Sequence, residues 1–273
     1  MLLRFTFLML KQLTFVIALL SIIIGIRSNV FAEVTEQVFV ERVVDGDTVV
    51  VKNSKGKVFK IRLLGIQAPE LFADPPWAFA KESKNELFNL VNNKKVHIAY
   101  NKKAKYDKYG RVLADIYTMN GEWVNGDLVK YGLAYVYILN ATSIPKIEEL
   151  KNLENKAIKE QLPFWQNSFY KVIIPLQSWQ HISQFKVVDG MVWSVRTTKN
   201  SVWLMLTKDG PYGFSLRIKS KDETLFLQKL GINSFTDLQG KLIRVRGFIE
   251  RYSNKFGPFI NLNSPDALDL QAN

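Results

Sequence analysis

The chain has no cysteine in its 273 residues and only two histidines, His97 and His181. The first absence excludes thiol nucleophiles, thiolate metal sites and disulfide staples, so stability has to come from packed cores alone. The second leaves too few imidazoles for a zinc centre or a histidine relay. Acidic residues are also scarce, 25 against 37 lysines and arginines, for a formal net charge of +12. An excess spread through the chain suits a polyanionic partner, either nucleic acid or an anionic membrane surface. Any catalysis falls to carboxylates and arginines.

A membrane-spanning apolar run is missing as well. The N-terminal stretch over 13–26 is shorter than the roughly 20 residues a spanning helix needs. Arg4 and Lys11 precede it, and Val30, Phe31 and Ala32 follow at the positions a signal peptidase reads, so residues 1–32 are expected to be a signal peptide cleaved after Ala32. The protein is then expected to be secreted or periplasmic, with no stable membrane insertion; a retained membrane anchor is the less favoured alternative. Removing the segment takes away Arg4, Lys11 and Arg27 and no acidic residue, so the basic excess belongs to what remains.

From Gln37 the chain alternates as strands do: VFVERVV, D-G-D, TVVVKN, a turn at 54–56, then VFKIRLLGI. After Pro75 and Pro76 the period changes and predicts a helix over 79–91. Strands return at VHIAYN and RVLADIYTM, and helices are expected around 126–131 and over 147–159, the last with Pro145 in its first turn. Residues 169–184 have no clear period and are expected to be a linker. Five further strand-like runs and one helix-like run, ETLFLQKLGI, then fill 185–273 and suggest a second small barrel. The expected organisation is a first domain over 33–168 and a second over 185–273.

Four short motifs carry the chemistry: D-G-D-T (45–48), I-R-L-L-G-I-Q-A-P-E (61–70), D-K-Y-G-R (107–111) and G-L-A-Y-V-Y (132–137). Taken singly, D-G reads as a hairpin turn, Arg62 as a charge on a half-buried strand, and Y-G-R as a turn before a strand. Together and in this order they resemble the thermonuclease (staphylococcal nuclease) family, from about residue 38 to residue 165. The resemblance implies an α+β fold, an OB-like five-stranded barrel with three helices, and a calcium-dependent endonuclease acting on DNA or RNA and leaving 3′-phosphate ends. It makes Arg62 and Arg111 the cations on the phosphoryl group, Glu70 the general base, and Asp47, Gln67 and Ala68 the metal-binding positions. Lys108 and Tyr109 would flank the nucleotide.

Those residue types suit phosphodiester hydrolysis. Attack of water builds charge on the non-bridging oxygens, and planar guanidinium forks match phosphate oxygens two at a time. A hard cation such as Ca²⁺ takes oxygen ligands. The sequence departs from the family at Gln67, where relatives commonly have aspartate; a neutral amide offers an oxygen without the charge.

Lys102, Lys103 and Lys105 interleave with Tyr106 and Tyr109 as cations and rings do in single-strand binding, although a solvated loop also accounts for the first two. Tyr135 and Tyr137 suit either the site or the core. The C-terminal region resembles the OB-type domain found behind the nuclease domain in some bacterial relatives, through G-K-L-I-R-V-R-G (240–247) and G-P-F-I-N-L (257–262). Arg217, Arg244 and Arg246 are its candidate nucleic-acid contacts, with Arg244 and Arg246 on a solvated strand face; Trp193 and Trp203 fit a core equally well. The competing function is a non-catalytic nucleic-acid- or protein-binding module on the same fold.

Overall fold

Strand β1 (Glu33–Asp45) buries Val38 and Val40 by alternation and Val43 after a register shift between Val40 and Arg42, and it starts four residues earlier than the pattern from Gln37 suggests. The structure, a computed structural model, describes residues 33–102, 106–138, 144–252 and 256–271. The export segment expected over 1–32, Lys103 and Lys105 lie outside them. Among the described residues no helix is long and apolar enough to cross a membrane.

The chain continues through β2 (Thr48–Asn53), β3 (Val58–Leu63), β4 (Ile66–Gln67), helix α1 (Ala80–Val91), β5 (Lys95–Asn101), β6 (Val112–Thr118), α2 (Val124–Lys130), β7 (Tyr135–Val136), α3 (Ile147–Lys159) and α4 (Pro163–Gln166). Register shifts between Val40 and Arg42 and between Val43 and Asp45 bend β1, which pairs with β5 through its first half and with β2 through its second. The ring closes in the order β1-β2-β3-β6-β5, with β3 and β6 parallel. This is the expected five-stranded barrel, with α1, α2 and α3 as its three helices. Pro145 lies just before α3, outside its first turn. Buried Asn125 ties α2 to the barrel by accepting from the Ile116 amide at 3.0 Å and donating to the Leu64 carbonyl at 3.0 Å.

The second unit holds β8 (Phe185–Met191), β9 (Ser194–Thr197), β10 (Ser201–Met205), β11 (Ser215–Lys219), α5 (Glu223–Leu230), β12 (Leu242–Glu250), β13 (Phe259–Leu262) and β14 (Leu268–Leu270). The sheet runs β14-β12-β13-β11-β10-β9, and β8 pairs with β12. With β8 and β9 read as two halves of one strand broken at Val192 and Trp193, the strand order repeats that of the first barrel. The first strand pairs with the second and fourth, the third pairs in parallel with the fifth, and a helix separates third from fourth. Two OB-like units therefore follow one another, as the strand-like runs over 185–273 suggest.

The segment between them is packed. Tyr170 and Ile173 are buried, Tyr170 donates to the Ala78 carbonyl at 3.0 Å, and Ile173 exchanges backbone hydrogen bonds with Val187 and Asp189. Beyond it a polar seam joins α3 to the second unit. Arg246 reaches Glu154 at 3.0 Å and Asp269 at 2.8 Å, and Lys151 reaches Asp269 at 2.6 Å. Arg244 forks onto Asp189 and donates to Asn155 at 2.6 Å. The expectation of a solvated strand face for Arg244 and Arg246 is overturned: the alternation is real, but the face they share points at α3.

Lys186 on β8 is buried beside the Phe169 ring, and its ammonium donates to the Phe169 carbonyl. Burial, with the charge of Lys171, lowers it from 10.5 to about 8. The unfolded chain holds the proton more tightly, so stability rises with pH between about 8 and 10.5, and the full cost of the buried charge is present below pH 8. Lys186→Met is expected to gain about 1–3 kcal/mol at pH 7, a gain that shrinks across that window. Urea unfolding at pH 7 and pH 10 checks it, and a variant no more stable than the parent at pH 7 contradicts the account.

Candidate active site

Four separate segments converge on one cleft of about 520 Å³, lined by Asp45, Asp47, Lys60, Arg62, Gln67, Ala68, Pro69, Glu70, Tyr109 and Arg111. The barrel explains the convergence. The β1–β2 turn brings the aspartates, the outward face of β3 brings Lys60 and Arg62, the loop after β4 brings Gln67 to Glu70, and the β5–β6 connection brings Tyr109 and Arg111. Gly46 allows the close fit at the turn, because a Cβ there would lie 2.1 Å from Ser83 Oγ on α1 and 2.6 Å from Ala68 Cβ.

Arg62 is buried, its Nη2 lying 3.1 Å from Asp47 Oδ2 and donating to Gln67 Oε1 at 2.8 Å, while Nη1 donates to the Leu63 carbonyl at 2.7 Å. Asp47 is fixed from two further sides, accepting from the Ala68 amide at 2.8 Å and from the Thr48 hydroxyl at 3.0 Å. Gln67 is in turn fixed by the pairing of β4 with β7, and its Nε2 donates to the Ala68 carbonyl at 2.9 Å. Glu70 accepts from the Phe72 amide at 3.2 Å, and its backbone carbonyl accepts from Trp77 at 3.0 Å.

Arg111 is oriented by a residue that the motif contains but the sequence pattern leaves without a role. Asp107 Oδ2 accepts from Arg111 Nε at 2.7 Å, and its Oδ1 accepts from the Tyr109 and Arg111 amides at 2.9 Å each. Burial pushes the Asp107 carboxyl up, but hydrogen bonds from the Arg111 backbone and side chain and from the Tyr109 backbone outweigh it and hold it below its ordinary value. With Nε engaged, the terminal fork of Arg111 is what remains to face the cleft. The guanidinium also lies 5.4 Å from the exposed Tyr109 ring, and Lys108 does not line the cleft but sits 4.9 Å over that ring.

Asp45 and Lys60 complete the lining and were not singled out from sequence. Lys60 was readable in principle, two residues before Arg62 on the same strand face. Asp45 is pushed up to about 6, first by burial and then by the charge of Asp47 beside it. Tyr135 belongs to the core: it is buried, stacks on Phe185 with centroids 5.0 Å apart, and burial pushes its phenol far above the ordinary value. Tyr137 is half-buried against Phe185 and Phe248, its phenol raised by burial and lowered in turn by the nearby Arg62 and Lys108 charges.

Residues 60–167 match the model of the family described as staphylococcal nuclease homologue. Among curated proteins, an uncharacterized endonuclease of Escherichia coli is 33% identical over 142 residues, covering 52% of this chain and 83% of that protein. The thermonuclease of Staphylococcus intermedius is 31% identical over 133 residues, covering 48% and 77%. The SPbeta prophage-derived endonuclease YokF of Bacillus subtilis is 34% identical over 135 residues, covering 49% of this chain and only 45% of its own length. The chain belongs to the staphylococcal nuclease homologue family.

Proposed function

We propose that this chain is an exported endonuclease that hydrolyses the phosphodiester bonds of DNA or RNA with the help of calcium. The observation that supports it best is the convergence of Arg62, Arg111, Glu70 and two aspartates on a single cleft. Glu70 takes the proton of the attacking water as its oxygen bonds to phosphorus, and the leaving oxygen departs on the opposite side. Arg62 and the fork of Arg111 carry the charge that gathers on the non-bridging oxygens. Asp107 acts on Arg111, and Gly46 on the placement of the aspartates, without touching substrate. Lys108 and Tyr109 flank the nucleotide at the open rim.

The donor set fits a hard cation. Asp45 and Asp47 offer carboxylate oxygens and Ala68 a carbonyl, and the charge of Asp47 helps to raise Asp45, a repulsion that a divalent cation held by both would relieve. A bound calcium would supply electrophilic stabilisation of the phosphate. Gln67 fits less well, since its oxygen is engaged by Arg62 and its nitrogen by Ala68.

Incubation of the protein with single-stranded DNA is expected to give fragments in calcium and none in a chelator; intact DNA in calcium would leave the non-catalytic binding module as the reading. Gln67→Asp is expected to lower the calcium needed for half-maximal cleavage several-fold, because it adds an anionic oxygen beside Asp47. An unchanged or raised requirement would mean that Arg62, already 2.8 Å from Gln67 Oε1, captures the new carboxylate as an ion pair.

A further inference from the structure

The matching topology of the two units allows the second to be searched at the place where the first carries its cleft. The first cleft draws on the end of the first strand, the outward face of the third, the loop after β4, and the connection between fourth and fifth. Three of these four places in the second unit, all but the loop, together with its second strand, line a cavity of about 360 Å³. Arg196 and Thr198 come from the end of the broken first strand, Trp203 and Met205 from β10, Ser215 from β11, and Tyr252, Phe256 and Phe259 from the β12–β13 connection and β13.

The chemistry of the two places differs. The first is lined by three carboxylates, whereas among the described residues no aspartate or glutamate lines the second. Rings take their place: Tyr252 and Phe259 are stacked with centroids 4.4 Å apart, and Trp203 stands edge-on to Phe259 at 5.7 Å. Arg217, opposite Trp203 in the β10–β11 ladder, holds its guanidinium 5.7 Å from the Trp203 ring and 5.8 Å from the Tyr252 ring. It donates to Ser201 Oγ at 2.9 Å and to the Tyr252 hydroxyl. Arg196 and Tyr252 are exposed, so the cavity presents aromatic faces and positive charge together at the surface.

We propose that this cavity is a second, non-catalytic binding site for single-stranded nucleic acid. Bases stack on Tyr252 and Trp203, and backbone phosphates lie against Arg196 and Arg217. Rings accept any base, and guanidinium groups accept any phosphate, so the site is sequence-tolerant. With no carboxylate in its lining it has neither a general base nor anionic ligands for a metal, and it holds the polymer without cutting it. This rests on the nuclease reading only for the choice of polymer. It also moves the affinity role of the second unit away from Arg244 and Arg246, which the seam consumes.

The test uses the full chain and a fluorescein-labelled 20-nucleotide oligothymidylate, with binding followed by anisotropy in chelator, where no cleavage intervenes. Tyr252→Ala and Arg196→Glu, both at exposed side chains, are each expected to weaken binding about tenfold, on the scale of one lost base stack or phosphate contact. Cleavage of a two-nucleotide substrate, which fills only the catalytic cleft, should stay at the parent's rate. Parental affinity in both folded variants, or a parent that does not bind the oligothymidylate, would overturn the proposal. A parent that binds but does not cut in calcium defeats the nuclease reading and leaves this one standing.

Discussion

Glu70→Gln and Arg111→Ala are each expected to lower kcat on single-stranded DNA by about a hundredfold or more, while the unfolding midpoint stays near that of the parent. General-base and charge-stabilising groups typically contribute on this scale, about 2.7 kcal/mol of transition-state stabilisation per hundredfold. Both side chains are partly exposed at the cleft and are held by one local partner each, the Phe72 amide and Asp107. Their loss therefore removes chemistry without opening a core. Arg62 makes a poorer probe: it is buried and contacts Asp47, Gln67 and the Leu63 carbonyl, so its removal disturbs structure and rate together. Stopped or steady-state cleavage beside a thermal melt separates the two effects. Near-parental kcat in a folded Glu70→Gln or Arg111→Ala would remove that residue from the assignment.

The seam should respond in the opposite way. Arg246→Met leaves Glu154 buried beside Asp269 with no guanidinium between them, and breaking a buried pair from one side costs about 3–5 kcal/mol. Glu154 is raised above its ordinary value by burial, against the pull of Arg246, so without the arginine it keeps its proton to higher pH. A raised carboxyl favours the folded state as pH falls, hence the variant's deficit should be largest near pH 7 and smaller near pH 5. Urea unfolding at the two pH values measures it. A deficit below about 1 kcal/mol at pH 7 would place the seam among weak surface pairs.

Local pattern carried the first barrel. Alternation marked β2, β3, β5 and β6, a change of period marked α1, and the motifs marked Asp47, Arg62, Gln67, Ala68, Glu70, Tyr109 and Arg111 of the cleft lining but neither Asp45 nor Lys60. Those signals are short-range, with the exception of the motifs, whose order stands in for the folding that joins them. What escaped was long-range. The contacts of Arg246 with Glu154, of Arg244 with Asn155 and of Lys151 with Asp269 span 92, 89 and 118 residues, and no local pattern says which partner an alternating arginine will meet. Asp107 escaped for a different reason: an aspartate before a tight turn looks like turn chemistry, and here it is that and the brace of Arg111 at once. The three-residue strand β14 was too short to leave a period.

Glu154 uses its second oxygen to accept from the Val136 amide at 2.7 Å, and Val136 lies in the β7 strand that pairs with β4 beside Gln67. A ribosome makes α3 well before it makes β12, so the nascent chain carries Glu154 for 92 residues of synthesis without its counter-ion. An unpaired carboxylate stays in water or takes up a proton rather than enter a core ionised. Docking of β12 against α3 then supplies that counter-ion and completes the ion pair of Glu154 with Arg246.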